Sequence, residues 1–210
     1  MTPGQGITFF ETQFQRQVAA EEFALNPFER ATLQFVTGRV LDLGSGLGNQ
    51  SIEAARRGAS VVAIDASPTA VERIRMAALK ERLPIDAIQA DLETYSIEGN
   101  FDTIVAIGLL MFFRRDKSLD LLSAIQQHIA PGGRAIVNVL IEGTTYMGMF
   151  EPGNYCLFGR NELEERFAGW EILLSQHDSF DAPNNTKKEF ATLVARKPLQ
   201  VRSSPRERGL

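Results

Sequence analysis

The segment VLDLGSGLG at 40–48 constrains the fold of this chain more than any other stretch. A short, apolar, β-branched run enters three alternating glycines, and helix-forming residues follow from about Leu47. Gly44 and Gly46 remove side chains where the chain must turn and where a ligand would cross the backbone, and Gly48 permits close packing behind the turn. A plain tight strand-to-helix turn is the alternative. The dinucleotide spacing G-x-G-x-x-G is not met, because Asn49 stands at its last position. Asp42, two residues before the first glycine, would repel a diphosphate and suits a cation.

Two further acids follow predicted strands. Asp65 ends VVAID, where a carboxylate at the sheet edge can accept hydrogen bonds from two ribose hydroxyls. Asp91 ends QAD, where it can hold an amino group beside the apolar Leu92. Each acid alone also fits a helix N-cap or turn residue. Together, three acids at three successive strand ends point to one extended ligand, with Ser45, Ala66 and Ile107 beside it.

From Val40 onward, strand patterns alternate with helical ones, as in a parallel sheet with helices on both faces. Strands are expected at 39–43, 60–64, 85–90, 101–107 and 134–140. Ser67 and Pro68 start a helix bearing Val71, Ile74 and Ala78 on one face. Another carries Leu119, Leu122, Ile125 and Ile129 up to a stop at Pro131-Gly132-Gly133. Residues 141–158 read as a long loop, 162–167 as a short helix, and 170–177 with 189–196 as an antiparallel hairpin turning at Pro183, Asn184 and Asn185. One domain over 1–197 is expected, with 1–36 as a helical lid segment and 198–210 as a flexible tail.

With these motifs the chain resembles the class I methyltransferases over residues 38–140. LMFF (110–113), PGG (131–133), FGRNEL (158–163), GWE (169–171) and FATLVARK (190–197) are similar to the tellurite-resistance branch of that family. The resemblance implies an α/β fold, a doubly wound, mostly parallel seven-stranded sheet with an antiparallel C-terminal strand. It implies S-adenosylmethionine as cofactor, held by Asp42, Gly44, Ser45, Gly46, Gly48, Asp65, Ala66, Asp91, Leu92 and Ile107. It also implies soft nucleophiles such as tellurium or selenium as acceptors, and a histidine beside the active site, which His177 matches. Where the branch has arginines after that histidine and seven residues later, this chain has Asp178 and Asn185, so two charges suited to an oxyanion are missing.

His177 is therefore the candidate catalytic residue, with an edge-strand histidine facing water as the alternative. Phe10, Phe14, Met111, Phe112 and Tyr146 are expected to shape a pocket for a small-molecule acceptor, although helix docking and core packing would account for them equally. Only one of Lys187 and Lys188 can point inward, because neighbours on a strand face opposite ways. A net charge of -4 argues against nucleic acid as a partner. One cysteine and two histidines supply neither an internal disulfide nor a zinc site. The absence of an apolar run of about 20 residues excludes a membrane-spanning helix and leads to the expectation of a cytoplasmic protein.

Overall fold

A computed structural model describes residues 5–199, with side chains from residue 8 onward. The expected tail at 198–210 therefore lies almost wholly outside the described residues. Two helices come first, α1 (Gln5–Ala19) and α2 (Pro27–Thr32). The alternating part follows: β1 (Arg39–Leu43), α3 (Asn49–Arg56), β2 (Ser60–Asp65), α4 (Pro68–Glu81), β3 (Ile85–Gln89), β4 (Phe101–Ile107), α5 (Arg115–His128) and β5 (Ile129–Leu140). A short α6 (Glu162–Arg166) precedes β6 (Glu171–Ala182) and β7 (Thr186–Arg196).

The described residues contain one seven-stranded sheet in the order β3-β2-β1-β4-β5-β7-β6. The first five strands run parallel, and β7 inserts antiparallel between β5 and the edge strand β6. Side chains on a strand alternate between faces, so each central strand feeds two cores. Leu41 and Leu43 of β1, Ile104 of β4, Val137 of β5 and Leu193 of β7 meet α5 residues Leu121, Leu122 and Ile125 on one face. Val40, Val105, Ile136 and Val194 face the other side, with Ala54 of α3 and Val71 and Ile74 of α4.

Several boundaries differ from the sequence expectation, three of them for a clear physical reason. Helix α5 stops at His128, and Ile129 already pairs with Phe101 as the start of β5, so Pro131-Gly132-Gly133 lie inside an irregular strand entry rather than at a helix stop. Helix α3 begins at Asn49, because Gly48 at its N-cap is left-handed. The hairpin is longer than 170–177 and 189–196, with Ala182 paired to Thr186 across a turn in which Asn184 and Asn185 both take positive φ. Its added length was hidden by polarity. β6 is a largely exposed edge strand, so the added residues carry Asp178, Ser179 and Asp181 on β6 and Lys187 and Lys188 on β7 rather than an apolar pattern.

Candidate active site

Strand β1 delivers its chain to the sheet's C-terminal edge, where the glycine turn is stitched to its neighbour. The N–H groups of Gly44 and Ser45 both donate to the Ile64 carbonyl of β2, at 2.9 and 3.0 Å. Gly44, Gly46 and Gly48 all have positive φ (67°, 52° and 70°). A Cβ on Gly48 would lie 2.4 Å from Ile74 Cγ1, so that glycine admits helix α4 rather than a ligand. Gly48 accordingly does not line the cavity, which corrects its placement among the expected cofactor contacts.

The turn forms one wall of a cavity of about 670 Å³, into which the C-terminal ends of the parallel strands β1 to β5 and the N-terminal half of the antiparallel β7 open. Asp42, Gly44, Ser45, Gly46, Asp65, Ala66, Asp91, Leu92 and Ile107 all line it, as do the expected pocket residues Phe10, Phe14, Met111, Phe112 and Tyr146.

The acids are held by local structure. Both oxygens of Asp65 accept backbone hydrogen bonds, from Gly46 N–H at 2.7 Å and Ser67 N–H at 2.9 Å. A carboxylate oxygen carries two lone pairs, so each retains capacity for a hydroxyl donor. Asp91 accepts from Glu93 N–H at 2.9 Å through one oxygen, the turn role foreseen as the alternative, while still lining the cavity. Asp42 is 5% exposed and accepts from the Ser51 hydroxyl of α3 at 2.6 Å.

Burial pushes the Asp42 carboxyl up to about 7, against the lowering hydrogen bond of Ser51 and with added repulsion from Glu29 and Asp65. Glu29 and Asp65 are also raised, chiefly by burial. Three crowded carboxyls, with no cation within ion-pair distance among the described residues and Arg73 acting on Glu29 from further away, make this end of the cavity receptive to positive charge.

Glu29 was not foreseen as a site residue. Its local signal is a capping box: Asn26 Oδ1 accepts from Glu29 N–H, and Glu29 Oε2 accepts from Asn26 N–H. That pattern locates the start of α2, but only the packing of α2 carries Asn26, Phe28 and Glu29 to the cavity.

Residues of α1 and of the 141–158 loop also line the cavity. Glu11 of α1 accepts hydrogen bonds from the Ser67 and Thr69 hydroxyls at the start of α4. Phe14 lies over Gly46, and Phe10 meets Phe112 edge-on at 5.0 Å between centroids. Opposite them, the 141–158 loop is tied down by Thr145 and Tyr146 N–H groups donating to the Lys187 carbonyl, and by Cys156 N–H donating to Met111. The buried Glu162, paired with Arg115 and Arg166, anchors the chain just after it. Of the two lysines, Lys188 turns inward and lines the cavity.

His177 is not brought to this site. Its imidazole is exposed on β6, two strands away from β5, where Nε2 donates to the Arg160 carbonyl at 2.9 Å. The structure thus does not bring the candidate catalytic residue to the cavity, and its exposure matches the edge-strand alternative. Asp178 and Asn185 also lie outside the cavity lining.

A family model described as a methyltransferase domain matches residues 40–133, from the glycine strand to the entry of β5. Residues 40–133 are thus similar to a methyltransferase domain. The chain is 29% identical over 165 residues to the probable S-adenosyl-L-methionine-dependent methyltransferase TehB of Haemophilus influenzae (strain 10810), covering 76% of this chain and 57% of that protein. It is 26% identical over 166 residues to hemagglutinin 1 of Eikenella corrodens, covering 76% and 55%. The chain thus spans somewhat over half the length of these curated relatives.

Among solved structures, TehB from Haemophilus influenzae superposes with a TM-score of 0.69 at 24% identity, covering 83% of this chain and 62% of that one. A 1,6-didemethyltoxoflavin-N1-methyltransferase from Burkholderia thailandensis superposes at 0.64 with 18% identity, covering 94% and 92%. At these identities the structures establish the class I methyltransferase fold around the domain. No helix among the described residues is long and apolar enough to cross a membrane.

Proposed function

We propose that this chain is an S-adenosylmethionine-dependent methyltransferase acting on a small soft or heterocyclic nucleophile. One observation carries the reading: Asp42, Asp65 and Asp91 reach a single cavity from three neighbouring parallel strands, with the glycine turn as its wall. In this reading Asp65 takes the ribose hydroxyls and Asp91 the adenine amino group, with Leu92 against the ring. Asp42 and Glu29 offer the negative surroundings that a sulfonium and an ammonium call for. The donor supplies an activated methyl group, so the chain's part is to hold both partners in line and exclude water, which fits a cavity lined in part by α1 and the 141–158 loop.

Soft nucleophiles need little help from a base, consistent with a cavity lined by Phe, Met and Tyr and lacking histidine among its described residues. N- or O-methylation of a metabolite is the second reading, favoured by Glu151 in the same lining, a carboxylate able to accept the proton such an acceptor releases. Titration calorimetry with S-adenosylhomocysteine tests the cofactor, and absence of binding by the wild-type protein would overturn the proposal. A panel of thiols, selenite, tellurite, amines and phenols with labelled methyl donor then separates the two acceptor classes.

A further inference from the structure

On the reading that this cavity is a methyl-transfer site, we propose that its acceptor half recognises a flat molecule with two polar ends. The inner end donates an N–H or O–H hydrogen bond to Asn138, and the outer end presents an anionic group to Lys188. The cofactor residues come from β1 to β4, whereas Asn138, Lys188 and Phe190 enter from the other side of the sheet, on β5 and β7.

Asn138 interrupts the apolar run AIVNVL of β5 and is 0% exposed. Its Nδ2 donates to Thr192 Oγ1 at 2.9 Å, directly across the antiparallel pair. Its Oδ1 has no hydrogen-bond partner among the described residues, although Asn138 lines the cavity. A buried carbonyl left unsatisfied is costly, so an anchored amide in the cavity lining with an unpartnered oxygen points to a ligand that donates to it. A carboxamide oxygen accepts a hydrogen bond without taking the proton, so this N–H or O–H serves recognition and the methylated atom is a different one.

On β7, Thr192, Phe190 and Lys188 share one face of the strand. At a rise of about 3.3 Å per residue, Lys188 stands roughly 13 Å along the strand from Thr192. Between them, Phe190 and Phe28 approach to 4.6 Å between ring centroids, a surface suited to a planar ring. Lys188 Nζ lies 4.6 Å from the Tyr146 ring centroid, and no carboxylate among the described residues is within ion-pair distance of it. It is the one cation among the described residues lining the cavity, and it stands half-buried without an anionic partner. A bare chalcogenide would satisfy Lys188 but leave Asn138 unpaired, so the pair of anchors favours the heterocyclic acceptor.

Three probes read the two ends separately in protein saturated with S-adenosylhomocysteine: benzimidazole-5-carboxylate, its 1-methyl derivative without an N–H, and uncharged benzimidazole. Calorimetry should show the first binding at least about tenfold more tightly than each of the others, because a site built to pair a donor rejects the analogue lacking it. Asn138→Ala should abolish the preference over the N-methyl derivative alone, and Lys188→Met the preference over benzimidazole alone. Thr192→Val, which removes the hydroxyl that orients the amide with little change of volume, should weaken the first preference without touching the second. Thermal melting and S-adenosylhomocysteine affinity establish that each variant is folded. Equal affinities for the three probes, no binding of any, or preferences that survive the substitutions would overturn the proposal. Failure of S-adenosylhomocysteine itself to bind would instead remove the methyltransferase reading on which the proposal rests.

Discussion

The two halves of the cavity are assembled in opposite ways. The proposed cofactor half is largely local: Asp42 to Gly46, Asp65 to Ser67, and Asp91 to Leu92 are three short segments, each at the end of its own parallel strand, joined by Ile107 of β4 and by Glu29 of α2. The acceptor half is collected from α1, α2, the 110–113 segment, β5, the 141–158 loop and β7, distant in sequence and joined by side-chain packing. A site written into strand ends is set by the sheet's register. One gathered from helices, a loop and a hairpin depends on how they dock, and can change its ligand while the sheet stays intact.

The sharpest test of this contrast is Gly48, which supports the local half without touching the cavity. Gly48→Val places a β-branched side chain at a left-handed residue and against Ile74, at an expected cost of about 3–5 kcal/mol, a large share of a typical domain's stability. Chemical denaturation would measure it, and a loss below about 1 kcal/mol would show that α4 can retreat.

Asp42 should give the next largest effect, through pH. The unfolded chain releases the Asp42 proton near pH 4, whereas the buried carboxyl holds it to about 7. Between those values the folded protein binds more protons, so stability falls as pH rises through the window and levels off above it. Asp42→Asn should flatten the profile, recovering about 2–4 kcal/mol at pH 8 relative to its effect at pH 4. The raised Glu29 and Asp65 act in the same direction, so part of the slope should persist. By the same linkage, a cationic ligand should bind more tightly as pH rises through about 7.

Asp65→Ala should weaken S-adenosylhomocysteine about 10- to 100-fold by calorimetry, since it removes a charge-assisted pair to two hydroxyls and also frees the N–H groups of Gly46 and Ser67. The smallest effect is expected at His177. With its ring on the Arg160 carbonyl, His177→Ala should change cofactor affinity and methyl transfer by less than about twofold. A larger loss of turnover would show that β6 approaches the cavity in the loaded protein and that the two halves are less separate than their geometry implies.

Much of the cofactor half was legible because glycine and aspartate requirements are local: positive φ at Gly44 and Gly46 and an acid at a strand end each leave a mark at one position. Signals for the other half were present but silent about destination. Asn138 is a lone amide in an apolar strand, and Thr192 its counterpart in FATLVAR, a pairing that becomes visible only when Asn138 and Thr192 stand in register. Glu29 announced a helix cap and nothing more.

His177 was misplaced for a related reason. Alternation along β6 says that neighbouring side chains face opposite ways, but not how far an edge strand lies from the cavity, and the order β5-β7-β6 puts another strand between them. By itself the sequence determined the parallel core, the turn and its three acids, because backbone conformation and strand alternation act over a few residues. Only the tertiary structure decided that Lys188 points in and His177 out, that Glu29 joins Asp42, and that Asn138 keeps an unpaired oxygen, because these depend on side chains from distant segments competing for the same buried space.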